Sequence, residues 1–300
     1  MDAAETPRTR KFTGWLKAAN VLGRLALFML SVSVFIFALM VMKTGAGPLA
    51  PMIRSSLSVD SPLSALGFGW LSANVTLSGS PVAATALTFL DAQVLSVKET
   101  FAMIAGSRLG AAMLVLLVGF IYVLRGQQRD LSLNVGLLSL LVTQTIYVPV
   151  LLLGFFILSR GWLSAWQMKT AHDVHSPFQL FFDPFIHRLQ TALPDWAVLL
   201  LGFLLVIFSL WLFDRVIPNI RLDESGAGMI QRMLYRPVVT FIIGAAVTVL
   251  TMSVSVSLGL LVPLSVRGYV RRENVIPYIL GANITTFIDT LIAAALLVNP

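Results

Sequence analysis

Two apolar stretches of this 300-residue chain are interrupted at mid-length by small polar residues, and they match each other at a constant offset of 175 positions. The first reads Gly69-Trp-Leu-Ser-Ala-Asn-Val-Thr-Leu-Ser78-Gly-Ser80. The second reads Gly244-Ala-Ala-Val-Thr-Val-Leu-Thr-Met-Ser253-Val-Ser255. No gap is needed: Thr76 falls on Thr251, Ser78 on Ser253, Ser80 on Ser255, and further on Gly106 falls on Gly281. A helix broken by Ser, Gly or Pro inside a long apolar run leaves backbone N–H and C=O groups unpaired. At membrane depth that is tolerated only inside the protein or beside a wet cavity. Each region, about 62–95 and about 237–266, is therefore read as a re-entrant hairpin: half-helix in, polar tip, half-helix out.

The membrane setting follows from composition. The chain is 57% hydrophobic and 12% charged, with a mean hydropathy of +0.86, whereas a soluble domain carries roughly 25% charged residues. Five runs are long enough to cross: Val21–Met42, about Thr100–Leu124, Leu131–Leu158, Trp196–Phe213 and about Asn274–Val298. The first run follows Arg8, Arg10, Lys11 and Lys17. It is too long for a signal-peptide core and no Ala-x-Ala pattern follows it, so it reads as a retained span. The absence of Cys excludes disulfides, thiolate metal sites and thiol catalysis. The net charge of +7 belongs to membrane topology rather than to nucleic acid.

With the N-terminus inside, inside loops hold 13 of the 21 Lys and Arg and outside loops hold 6; Arg24 and Arg108 lie within spans. That excess supports the orientation. Three crossings then separate the starts of the two repeats, which makes them inverted. The expected fold is an all-α polytopic membrane protein with two inverted-topology repeats, each a spanning helix, a re-entrant hairpin and a broken spanning helix. The expected organisation is a cytoplasmic basic tail (1–20), repeat one (21–125), an extra spanning helix (131–158), an irregular extracytoplasmic linker (159–195) and repeat two (196–300). Leu131–Leu158 follows repeat one and nothing follows repeat two, so either a partner helix is absent or the chain is truncated after Pro300; truncation is the expectation.

The chemistry-bearing residues cluster at the interruptions. Half-helix N-termini present free N–H groups and a positive dipole end to an anion. Hydroxyls and unwound carbonyls are hard oxygen donors for a small alkali cation. Thr76, Ser78, Ser80, Thr251, Ser253 and Ser255 are the candidate lining of a shared site. Gly281-Ala-Asn283-Ile-Thr285-Thr286 opens or breaks the last span; its amide and hydroxyls can ligate or cap. Asp289 is an ionisable group inside a span, a functional candidate by default. Arg108, at the Asn283 register of repeat one, either meets an anion or balances Asp91 or Asp289; Arg108 and Asp289 are the candidates for charge coupling. His172, Asp173, His175 and His187 have no arguable metal shell, and Asp91, Lys98 and Glu99 read as a solvated turn. No P-loop, Ser/His/Asp or zincin arrangement is present, so an enzyme is not expected.

The order of these features resembles the sodium/phosphate cotransporter family, which carries in each inverted repeat a Gln-Ser-Ser-Ser tip followed by Gly-Ala-Asn-Ile-Gly-Thr-Thr. Here Met252-Ser253-Val254-Ser255 precedes Gly281-Ala-Asn-Ile, and Leu77-Ser78-Gly79-Ser80 precedes Gly106-Ser-Arg108-Leu-Gly110 at the same spacing. The Gln positions are Met252 and Leu77, the middle serines are Val254 and Gly79, and one family Gly is Thr285. The resemblance implies sodium-coupled symport of inorganic phosphate by alternating access. By that resemblance Ser78, Ser80, Ser253 and Ser255 line phosphate and sodium, with Asn283, Thr285 and Thr286 in support. It implies a multi-pass plasma (inner) membrane protein with no cofactor and no metal beyond transported sodium. Its partners would be phosphate, sodium and the lipid bilayer, with no nucleic acid and no oligomer assigned. Two other readings use the same fold: a transport-inactive scaffold or receptor, and a carrier of another anion coupled to sodium or to protons through Asp289.

Overall fold

The structure is a computed structural model that describes residues 7–56, 59–124, 129–162, 177–216, 236–251, 253–266 and 270–297, with side chains described except at 7–21, 24, 56, 129–131, 177–180, 213–214, 216, 263, 266 and 296. Among the described residues the chain is helical without strands. The elements are α1 (Pro7–Ala46), α2 (Ala50–Ser56), α3 (Pro62–Thr76), α4 (Ser80–Asp91), α5 (Val97–Leu124), α6 (Arg129–Ser159), α7 (Pro177–Ala192), α8 (Asp195–Val216), α9 (Pro237–Thr251), α10 (Val254–Val266), α11 (Arg272–Thr285) and α12 (Ile288–Leu296). Among the described residues, five helical segments are long and apolar enough to cross a bilayer: Leu25–Ala46, Val97–Leu124, Ser132–Ser159, Asp195–Leu212 and Arg272–Ala295. The protein is an α-helical membrane protein. The fifth segment is interrupted between α11 and α12, directly after Thr285.

Helix bounds repeat at the offset seen in the residues. Adding 175 to Pro62–Thr76 gives Pro237–Thr251, the bounds of α9. The packing repeats as well. On α3 and α5, a Cβ on Gly69 would collide with the Met103 carbonyl, and one on Gly106 with the Leu66 carbonyl. On α9 and α11 the collisions are Gly244 with Tyr278 and Gly281 with Phe241. All four residues of the first crossing lie 175 positions before those of the second. Small residues at such crossings let backbones touch, which is how helices gain contact in a solvent as apolar as their own side chains.

A third close crossing joins α1 to α8. Gly45 meets the backbone of Leu199, and Gly202 meets the backbone of Met42. As position rises on one helix it falls on the other, so this pair is antiparallel. Around it Phe35, Ala38, Leu39, Met42, Ala84, Val206 and Ala293 form one buried cluster. A second cluster centres on Val254, Leu258, Leu261, Tyr278, Ile279 and Ala282 against Ala111, Val115 and Val135.

Two expectations are corrected. The segment read as irregular contains α7, whose Phe182 ring lies 5.0 Å from Phe37 on α1; Ile186 is buried there with Val41 and Val198. Its spacing of Phe182, Ile186 and Leu189 is helical, and it was obscured by Pro184 and by the short length of the run. Of the residues read as a solvated turn, Lys98 is exposed, but Asp91 and Glu99 are instead ion-paired. Lys43 contacts Asp91 at 2.6 Å, and Arg54 contacts Glu99 at 3.6 Å. Arg54 Nε also donates to the Val94 carbonyl at 2.7 Å, and the Ser96 N–H donates to Glu99 at 2.7 Å. The basic partners come from the helix end and lead-in, 48 and 45 residues upstream, which brings the carboxylates out of solvent.

Candidate functional site

Each interrupted unit is closed by a threonine at the end of its first helix. Thr76 Oγ1 lies 2.8 Å from the Ser72 carbonyl and 2.9 Å from that of Ser78. Thr251 Oγ1 lies 2.8 Å from the Val247 carbonyl and 3.1 Å from that of Ser253. These are the same contacts at the 175 offset. They satisfy the helix's own last carbonyl region, so both threonines shape the tips from within. In the first tip Leu77 takes the left-handed conformation (φ 53°), which turns the chain out of α3. Gly79 then presses against α5, where a Cβ would stand 3.0 Å from the Ser107 carbonyl. In the second tip Ser253 Oγ accepts from the Val256 N–H at 3.3 Å and caps α10.

The two tips converge. Thr76, Ser78 and Ser80 of one and Thr251, Ser253 and Ser255 of the other line a single cavity of about 400 Å³. Leu114 and Val118 of α5 and Ile207, Leu210 and Trp211 of α8 complete its wall. The first turns of α4 and α10 border it, and these turns carry the N–H groups that lack helical acceptors. Ser255 is 3% exposed, and its hydroxyl has no hydrogen-bond partner among the described residues. A buried, unsatisfied hydroxyl costs about 1–3 kcal/mol; the Ser255 oxygen itself is enclosed rather than open to the cavity. A second cavity, of about 390 Å³, lies between α1, α8 and the α3–α5 layer and is lined by Met42, Phe68, Val82, Phe89, Met103 and Phe203 among others.

The other sequence-expected residues do not line either cavity. Asn283 Nδ2 donates to Thr143 Oγ1 at 3.0 Å, and its backbone carbonyl accepts from the Tyr147 hydroxyl at 3.1 Å; both partners are on α6. Thr285 Oγ1 donates to the Ala245 carbonyl at 3.1 Å, tying α11 to α9. Thr286 accepts from Arg108 Nη1 at 3.1 Å, and Arg108 Nη2 meets Asp289 Oδ1 at 2.8 Å and the Thr290 hydroxyl. Arg108 is 1% exposed and Asp289 7%. The Phe287 ring covers the guanidinium at 5.5 Å. Of the alternatives left open by the sequence, the structure gives Arg108 to Asp289, a pair fastening α5 to the start of α12. Asp91 has Lys43 instead.

His187 lies on α7; His172, Asp173 and His175 lie outside the described residues. Among the described residues no group of three His, Cys, Asp or Glu side chains could hold a metal ion. Sequence reasoning missed the apolar wall from α5 and α8, which carries no local signal. It also missed Thr143 and Tyr147, although a polar Thr-Gln-Thr run in the middle of a span was a usable one. No family model matches this chain, and neither does any curated protein or solved structure.

Proposed function

We propose that this protein is a secondary active transporter: a sodium-coupled symporter of inorganic phosphate in the plasma membrane, with the cavity between the two tips as its solute site. The observation that carries the reading is the convergence of Ser78, Ser80, Ser253 and Ser255 on one cavity, bordered by two half-helix N-termini. Hydroxyls at the positive ends of two helix dipoles suit an oxyanion. The antiparallel α1–α8 pair, whose members correspond at the 175 offset, supports inverted repeats meeting at that site.

Depth along the helices supports a direction of opening. The wall residues Leu114, Val118, Ile207, Leu210 and Trp211 all belong to the C-terminal halves of α5 and α8. In the orientation drawn from the basic residues, those halves face the cytoplasm. The Gly45–Leu199 and Gly202–Met42 contacts close the opposite end of the α1–α8 pair. The arrangement is therefore an inward-facing one. Alternating access would separate α1 from α8 at those glycines and seal the Trp211 side.

The test is uptake of labelled phosphate into proteoliposomes containing the full chain, with and without an inward sodium gradient. Sodium-dependent uptake that is lost in Ser253→Ala/Ser255→Ala is expected. Each hydrogen bond to an anion contributes about 1.5–3 kcal/mol, so removing one weakens binding by about tenfold or more. Absence of sodium-dependent uptake, or unchanged kinetics in the double variant, rules the proposal out.

A further inference from the structure

We infer that the second cavity is a lipid site: it takes the acyl chain of a membrane phospholipid that enters sideways between α3 and α8. This is a different space from the proposed solute site, and the inference stands whatever solute that site takes.

The two cavities are stacked along shared helices. On α3 the lining passes from Ser72 in this cavity to Thr76 in the tip cavity, and on α8 from Phe203 to Ile207, one helical turn apart in each case. Their chemistry differs. Phe68 of α3 lines one side and Leu199 and Phe203 of α8 another, while Val82, Thr85 and Phe89 present one face of α4, which packs on both α3 and α8. The polar side chains among the described lining residues are Ser72, Thr85 and Trp196. The Thr85 hydroxyl already donates to the Pro81 carbonyl at 2.8 Å. The space measures about 390 Å³. A buried water needs two to four polar partners, and an apolar cavity of about 150 Å³ stays dry and binds benzene. An unfilled void forfeits the dispersion contacts of its lining. Hydrocarbon is the occupant that this lining selects.

The bilayer supplies hydrocarbon at this depth. Along α8 the lining runs from Trp196 to Phe203, seven positions of a membrane-spanning segment, or about 10 Å of helix; one leaflet's share of the hydrocarbon core is about 15 Å. Trp196, 59% exposed, stands at the start of that segment, where an indole sits at headgroup level. The mouth has apolar flanks on both sides: Leu71 and Val75 of α3 and Leu200 and Leu204 of α8 are all exposed. A chain can therefore pass from the bilayer into the cavity without crossing a polar rim. Met42 and Leu199 also line the space, and they meet Gly202 and Gly45 at the α1–α8 crossing. A chain seated here packs against the contacts that hold that crossing closed.

The experiment reconstitutes the purified full chain in phosphatidylcholine vesicles doped with a phosphatidylcholine that carries a photoactivatable diazirine midway along one acyl chain. Adducts are mapped by mass spectrometry. Wild type is expected to be labelled at Phe68 and Phe203, as well as at Leu152 and Leu153, which are exposed on α6. Two variants that fill the space from opposite sides, Ser72→Phe and Leu200→Trp, are each expected to lose the Phe68 and Phe203 adducts and to keep those on α6. The retained α6 adducts, with an unchanged helical circular-dichroism spectrum, separate a filled cavity from a misfolded chain. Wild-type adducts confined to exposed surfaces such as α6, the result expected if a segment of the chain or a second copy occupies the space, overturn the inference. Phe68 and Phe203 adducts that persist undiminished in both correctly folded variants overturn it too.

Discussion

Replacing Arg108 by methionine is the most informative perturbation of the fold. Arg108 and Asp289 are 181 positions apart and almost wholly buried, with Nη2 to Oδ1 at 2.8 Å. At a charge separation near 4 Å and an effective dielectric of about 20, their attraction is about 4 kcal/mol. Taking both ions out of water costs a similar amount, so the intact pair adds little net stability. Breaking it is another matter. Arg108→Met leaves the carboxylate of Asp289 with no counter-charge, and removing one partner of a buried pair costs about 3–5 kcal/mol. Asp289→Leu is expected to cost the same order, because the guanidinium keeps only Thr286, Thr290 and the Phe287 face. The double variant Arg108→Met/Asp289→Leu is expected near wild type, since Thr286 and Thr290 can turn to backbone carbonyls one helical turn back. The assay is a double-mutant cycle on reversible unfolding in mixed micelles. With the double variant near wild type and about 3–5 kcal/mol lost in each single variant, a coupling energy of about 6–10 kcal/mol is expected. Single-variant losses that add within about 0.5 kcal/mol would refute the reasoning, because such independence belongs to pairs that do not touch.

Three other outcomes follow from the duplicated geometry. Thr76→Val and Thr251→Val each remove one hydroxyl that closes a tip; each should lower unfolding free energy by about 0.5–1.5 kcal/mol, with the two values alike. Gly106→Leu and Gly281→Leu drive a side chain into the Leu66 and Phe241 carbonyls, so thermal stability should fall by at least about 1–3 kcal/mol in both. Arg215→Gln removes an exposed cation from the Trp211 face of the cavity, so phosphate association should slow and lose part of its salt dependence. An unchanged association rate would separate Arg215 from the entry route.

Much of the helix layout is legible in the residues. The breaks at Ser78 to Ser80 and at Ser253 separate α3 from α4 and α9 from α10, and the interruption after Thr285 falls where the Gly281 motif ends. Legibility follows from the short range of the causes: apolar run length, Pro at helix starts and small polar residues at breaks act within a few positions. The identities of Gly69, Gly106, Gly244 and Gly281 also announce close backbone approach, although not which carbonyl each meets.

Partnership was not legible. Asn283 and Arg108 occupy one register in the two halves, yet Asn283 turns to Thr143 and Tyr147 while Arg108 reaches Asp289 and Thr286. The difference arises because α6 lies against α11 and supplies the Asn283 partners. Asp91 and Glu99 read as solvated until Lys43 and Arg54 are packed on them.

By itself, the sequence determined that the chain lives in a membrane, where its helices break, and that two of its segments share one plan, because those properties are set by local hydrophobicity and backbone chemistry. Only the tertiary structure decided that the two serine tips face one cavity, that no charged side chain lines it among the described residues, and that Arg108 belongs to Asp289. Those outcomes depend on which surfaces meet across some 180 positions of chain, and packing is what selects them.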